Sequence, residues 1–196
     1  MNSNTPPAWA EQLLRLLVKP AEFDNVSGDL LEEYRLGVLP ARGRARADVW
    51  YVSQVLGFAS RNARLWAALF GAAFISRTAL DWLVPTVDFH TRSIVSTYLA
   101  IGILLIAGFA AARRSGSVVA GTVLGLVTTA IGAAVSVCGA GVLLIMWHDA
   151  ATMAAIDQSG GLAEVFTLPV IMLVPGAALG TIGGVAGSIS RRLWLA

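Results

Sequence analysis

The sequence of 196 residues is short of charge, histidine and cysteine. Charged side chains make up 13% of it, about half the share of an ordinary soluble domain at roughly 25%. A mean hydropathy of +0.70 excludes a disordered chain, which needs low hydropathy and high net charge. Cys138 is the only cysteine, so an intramolecular disulfide and a thiolate metal cluster are both excluded. Two histidines, His90 and His148, leave little for zinc or triad chemistry, and no H-E-x-x-H or G-x-S-x-G occurs. A phosphate loop of the form G-x-x-x-x-G-K-[ST] is absent too, so any ATPase would be a separate polypeptide. The chain is expected not to be an enzyme and to need no cofactor and no metal.

What the chain has instead is long apolar runs. All of them follow residue 64, and the first 64 residues carry eight of the fourteen Lys and Arg and seven of the twelve Asp and Glu. This division predicts an all-α membrane protein: a small helical head over residues 1–64, then a four-helix transmembrane bundle over 65–196. A span needs about 20 apolar residues, set by ~30 Å of hydrocarbon at ~1.5 Å per residue. The runs that meet this cover about 65–84, closed by Pro85, then 94–112, 118–147 and 165–190. Pro169 and Pro175 should kink the last of them.

Twelve of the fourteen basic residues fall on one side of such a bundle when both termini share it; Arg77 and Arg92 are the exceptions. By the positive-inside rule that side is cytoplasmic. No secretory signal is expected ahead of the head, because Leu13–Val18 is short and broken by Arg15. The head is therefore expected in the cytoplasm. The sequence pI near 9.1 then reflects topology and contact with anionic lipid, with no nucleic-acid partner. Trp82 and Trp147 should mark the outer interface, Trp66 and Trp194 the inner one.

The head should contain three short helices. Trp9, Leu13 and Leu17 recur at helical spacing, and Pro20 ends that run. The second helix should cover about 21–36, with a break at Gly37 and Pro40. The third should start near Ala41 and continue into the first span. A core of Trp9, Leu13, Phe23, Leu30 and Tyr34 against Val49, Val52 and Leu56 follows from this spacing. Gly28 inside a helix costs about 1 kcal/mol against Ala and suggests close packing there.

Phe23-Asp24-Asn25-Val26-Ser27-Gly28-Asp29-Leu30-Leu31-Glu32-Glu33-Tyr34, followed by Ala41–Ala47 and Trp50-Tyr51-Val52-Ser53-Gln54, resembles a permease prefix domain. That module precedes the first transmembrane helix of some bacterial ABC-transporter permeases, notably the acidobacterial duplicated orphan permeases. The resemblance covers about residues 6–58. It implies a helical docking module built on Gly28, Asp29, Leu30, Glu32, Glu33, Tyr34, Trp50 and Tyr51, and a protein partner in the bacterial cytoplasmic (inner) membrane or held at it. Those permeases continue with a large extracytoplasmic domain and a long permease core, whereas this chain has only short-looped spans. Their coupling mechanism is therefore not carried over.

Within the bundle, Arg77 and Asp81 lie one turn apart in the first span. They fit either a polar site facing the interior or a neutralised pair that snorkels and fixes the helix rotation. His90, His148, Asp88 and Asp149 share the outer side but lack metal-ligand spacing, so a solvated loop is expected. Gly121 and Gly125 in the third span, with Gly176, Gly180 and Gly184 in the fourth, form small-xxx-small stripes for close packing or homo-oligomer contact. Cys138 is expected in the same stripe as a small packing residue. Two functions remain open. One is a non-enzymatic accessory or regulatory subunit whose head docks a partner. The other is a small oligomeric transporter or channel-like protein using Arg77 and Asp81.

Overall fold

The computed structural model describes residues 5–84, 86 and 89–195, and among them there is helix and no strand. Helix α1 spans Ala8–Leu17 and α2 spans Pro20–Glu32. A π-helical turn over Glu33–Val38 leads into α3, Leu39–Arg42. The long α4 covers Arg44–Leu83, α5 Phe89–Ser115 and α6 Val118–Met146. Helices α7 (Ala150–Gln158), α8 (Gly161–Ile171) and α9 (Leu173–Leu195) complete the chain.

Three segments are long and apolar enough to cross a membrane: Phe89–Ser115, Val118–Met146 and Gly161–Trp194. The run at 65–84 is helical as far as Leu83 but does not stand out as a separate span. It is the second half of α4, where Arg77 and Asp81 dilute its hydropathy. Pro85, expected to close it, lies outside the described residues. At 40 residues, α4 is about 60 Å long. The head and the bundle are thus threaded on one rod.

The expected break at Gly37 and Pro40 is displaced. Pro40 has no N–H and its ring crowds the carbonyl four residues back. The helix widens ahead of it, with the Leu39 N–H bonding to Tyr34 O, and so continues past the proline. The chain turns only at Gly43, whose φ of +72° suits glycine. The core of the head also differs from the expected stripe. Ala10, Leu14, Phe23, Tyr34, Tyr51 and Val55 are buried together, and Leu13, Leu30 and Val52 pack at its margin. Trp9, Val49 and Leu56 are exposed instead. The rotation of α4 is fixed by its buried 47–51–55–59–63 line, which continues unbroken into the bundle. The expected run of this helix into the first span holds, and its buried line turns Val49 outward. Gly28 is exposed and a Cβ there would meet nothing within 4 Å, so no close packing explains it.

The bundle places α9 against both α5 and α6. Gly116, at φ +78°, lets α5 and α6 join through a two-residue turn. Between α8 and α9 the helix path is bent at Met172, flanked by Pro169 and Pro175. Bonds from Met172 N–H to Leu168 O (3.2 Å) and from Gly176 N–H to Met172 O (2.7 Å) keep the backbone paired across the bend. The stretch 148–164, expected as a solvated loop, contains α7. Asp149 caps it, accepting from the Ala151 and Thr152 N–H groups at 3.0 and 3.1 Å, and Gly160 at φ +111° follows its end.

Candidate functional site

Three places concentrate the chemistry. The first is a charged cluster at the end of the bundle remote from the head. Arg77 Nε donates to Asp81 Oδ2 at 3.3 Å, as the i, i+4 spacing on α4 requires. Arg77 Nη2 also donates to Glu164 Oε1 at 2.8 Å, reaching the first turn of α8. From α5, Arg92 Nη1 lies 3.4 Å from Asp81 Oδ1 and donates to Leu80 O (2.7 Å) and Val84 O (2.8 Å). It so satisfies carbonyls at the C-terminus of α4, where a cation also suits the helix dipole. Asp81 is 4% exposed by its side chain, Arg77 12% and Glu164 38%. The pair therefore faces inward and does not snorkel. Two cations and two carboxylates close on one another with no net charge.

Arg92 and Glu164 are the members that sequence spacing missed. Nothing in the spacing ties them to Arg77 across 15 and 87 positions. A cavity of about 10 Å³ adjoins the cluster, lined by Thr78, Ser159 and Trp82 among others. It is room for about one water. Trp82 is buried at 2% exposure among Ala140, Ile156 and Phe166, and its Nε1 has no protein partner among the described residues. His90, His148 and Asp149 form no metal-ligand group among the described residues, and Asp88 lies outside them. The Asp149 carboxyl is held below the usual range, chiefly by the Thr152 backbone N–H.

The second place is the glycine seam. A Cβ on Gly121 would stand 2.6 Å from Gly180 O and 2.8 Å from Gly184 Cα. On Gly125 it would meet Gly176 O and lie 2.9 Å from Gly180 Cα. Gly183 and Gly187 face Leu105 and Phe109 of α5, and Gly108 of α5 meets Gly180. Helix α9 is wedged between two neighbours by glycines on two faces. Thr122 and Thr181 hydroxyls meet across the seam at 2.7 Å. Cys138 is exposed, outside the packed stripe.

The third place is the head. Of its expected docking residues, Tyr34 and Tyr51 are core, 0% exposed and edge-to-face at 6.0 Å. Tyr34 Oη donates to Asp48 Oδ1 at 2.6 Å. Burial, then that hydrogen bond, push its phenol up to about 12. Burial and the Glu11 carboxylate likewise push Tyr51 up to about 12. Leu30 is half-buried at the core margin. Gly28, Asp29, Glu32 and Glu33 are exposed on α2 and the π turn, and Trp50 is half-buried beside Arg42, Arg46 and exposed Val49. The motif thus divides into residues that build the head and residues that face outward.

The head rests on the bundle. Asn62 Nδ2 of α4 donates to Leu17 O of α1 at 3.0 Å, and Leu16 packs against Ala63, Ala111 and Leu124. A cavity of about 170 Å³ remains at this junction, between Leu17, Phe58, Asn62, Arg114 and Leu124. Arg191 Nη1 donates to Arg114 O at 3.1 Å, tying the basic ends of α5 and α9 together. Compared with protein-family models, curated proteins and solved structures, the chain finds no match.

Proposed function

We propose that the chain is a non-enzymatic membrane adaptor with four spans and both termini cytoplasmic, whose head docks a protein partner. The partner would be an ABC-type permease system or a soluble regulator held at the membrane. The observation that carries this reading is α4: one continuous helix forms the head's third wall and then enters the bundle. A partner's force or position would pass to the bundle without a flexible joint. The fourth span is the Leu65–Leu83 part of α4, and the matched charges around Arg77 make its burial tolerable. Arg61, Arg64, Arg113, Arg114, Arg191 and Arg192 then sit on the cytoplasmic side.

The docking surface would use Asp29, Glu32 and Glu33 on one flank and Trp50, Val49, Arg42 and Arg46 on the other. Arg46 stands about 27 Å along α4 from Arg64, out of reach of headgroups. That favours a protein partner over a lipid one for this patch. The resemblance to a permease prefix domain supports the same reading. A transporter using Arg77 and Asp81 is less well supported, because those groups are consumed by Arg92 and Glu164.

Site-specific photo-crosslinking in cells tests the proposal. A crosslinker at Glu33 or Val49 should capture a protein that one at Ile145, on the far end, does not. Capture from Ile145 alone would move the function to the bundle. Topology is tested separately: a cysteine at Ser115 that reacts with an impermeant reagent in intact cells would defeat the orientation.

A further inference from the structure

One face of the bundle stays open between α4 and α6. Gly71 and Gly132 bring these helices together: Cβ atoms there would come within 2.8 Å of Val135 Cγ1 and 2.6 Å of Phe70 Cδ1. Beside this contact runs a groove of about 480 Å³, walled by Ala68, Ala72, Ile75, Ile131 and Val135. The small side chains of Ala68 and Ala72, one turn apart and exposed, form its floor. Arg61 and Arg64 line its head-side end. Both are exposed, and neither forms an ion pair among the described residues. Arg61 lies over the Phe58 ring at 4.4 Å and its Nε donates to Gly57 O at 3.3 Å, one turn toward the head.

The dimensions select the occupant. From Arg64 to Ile75 is eleven residues of helix, about 16 Å. One leaflet of hydrocarbon is half of ~30 Å. The groove is therefore as deep as one leaflet, apolar along its length and cationic at its polar end. A helix from a second copy would need a surface running through both leaflets and would leave Arg64 without an anion.

We propose that this groove binds one anionic phospholipid of the head-side leaflet. Its phosphate sits between Arg61 and Arg64, and an acyl chain lies along Ala68, Ala72 and Ile75. The inference rests on α4 crossing the membrane, as proposed above. The bound lipid would fill the face that α5 and α9 leave uncovered, next to the junction where the head meets the bundle.

Native mass spectrometry of the full chain, purified with equal amounts of phosphatidylglycerol and phosphatidylcholine, tests it. The wild type should retain phosphatidylglycerol by roughly 10- to 30-fold over phosphatidylcholine, from two surface cations. Arg61→Gln with Arg64→Gln should bring the ratio near one. Arg191→Gln with Arg192→Gln, the same charge loss elsewhere, should leave it unchanged. Ala68→Leu should lower retention of phosphatidylglycerol with both arginines intact, by filling the chain's path. Equal retention in the wild type, or a preference that survives loss of Arg61 and Arg64, would overturn the proposal. So would efficient disulfide dimers through Ala68→Cys, which would assign the groove to a second copy. Maleimide accessibility in vesicles separates this from the membrane reading. If Ala72→Cys labels as readily as Ser53→Cys, α4 does not span. If Ala72→Cys is shielded and the lipid preference is absent, the lipid inference alone fails.

Discussion

Two seams of one bundle follow opposite rules. Where α9 meets α5 and α6, backbones touch and side chains are missing; the contact is made by Gly108, Gly121, Gly125, Gly180 and Gly184. Where α4 meets α5 and α8, side chains make the contact: Phe70 and Phe74 pack on Ile103 and Leu104, and Arg77, Asp81, Arg92 and Glu164 pair at the far end. Between helices inside a membrane, hydrophobic burial against water gives nothing, and packing and polar pairing hold helices together. The glycine seam has no spare volume and no charge to lose. The charged seam depends on its pairing, since Asp81 is buried and shared by two arginines. The two should therefore fail differently.

The largest effect is expected at the glycine seam. Gly180→Leu drives a side chain into the Gly121 and Gly125 backbones, which are not flexible ends that can swing aside. Overpacking costs about 1–3 kcal/mol where side chains can shift and more where they cannot. Folded, monodisperse yield on size-exclusion chromatography should fall close to zero. Near-normal yield would mean that α9 does not press on α6.

At the charged seam, Asp81→Ala leaves Arg77 and Arg92 facing each other's field without their shared carboxylate. Removing one partner of a buried pair costs about 3–5 kcal/mol. Arg77→Ala with Asp81→Ala should recover part of that loss, and Glu164→Ala alone should cost less, being 38% exposed. Thermal unfolding in detergent gives the order. Equal midpoints for the single Asp81 variant and the double variant would remove the pairing argument.

The head sharpens the contrast, since its core contains titratable groups that the glycine seam lacks. Tyr34 and Tyr51 ionise at about 12 in the folded chain, against 10.0 ordinarily. Between those values the unfolded state releases protons that the folded state keeps. Their contribution is thus complete below pH 10 and is lost as pH rises toward 12. The head should loosen in that window while α5, α6 and α9 stay helical. Hydrogen exchange resolved by segment measures it. Simultaneous loss of both regions would show that they unfold as one unit. The smallest effect is Gly28→Ala, a glycine that nothing crowds. It should stabilise the head by about 0.5–1 kcal/mol. A loss there would point to a contact outside the chain.

Part of this was legible in the residues. Lengths of apolar runs placed α5, α6 and the α8–α9 segment to within a few residues, because a membrane-length stretch has few alternatives. The stripes Gly121–Gly125 and Gly176–Gly180–Gly184 predicted a close contact, since only glycine spacing allows backbones so near. Tyr34 and Phe23 followed from helical periodicity in the head, but Leu14, which takes the core place expected for Leu13, and the exposed Val49 and Trp9 did not, because rotation of a helix is decided by everything it packs against. Helix α7 was signalled by Asp149 and Gly160, cap residues that a search for long runs passes over.

By itself, then, the sequence determined the class of the protein, the ends of its apolar helices and which residues are small enough for tight seams. These depend on local composition, length and period. The tertiary structure alone decided which face of α4 is buried from head to bundle, that Pro40 is absorbed in a widened turn, and that Arg77 and Asp81 close on Arg92 and Glu164. Each of those depends on which distant face arrives opposite a residue. No spacing along the chain encodes a contact across 87 positions.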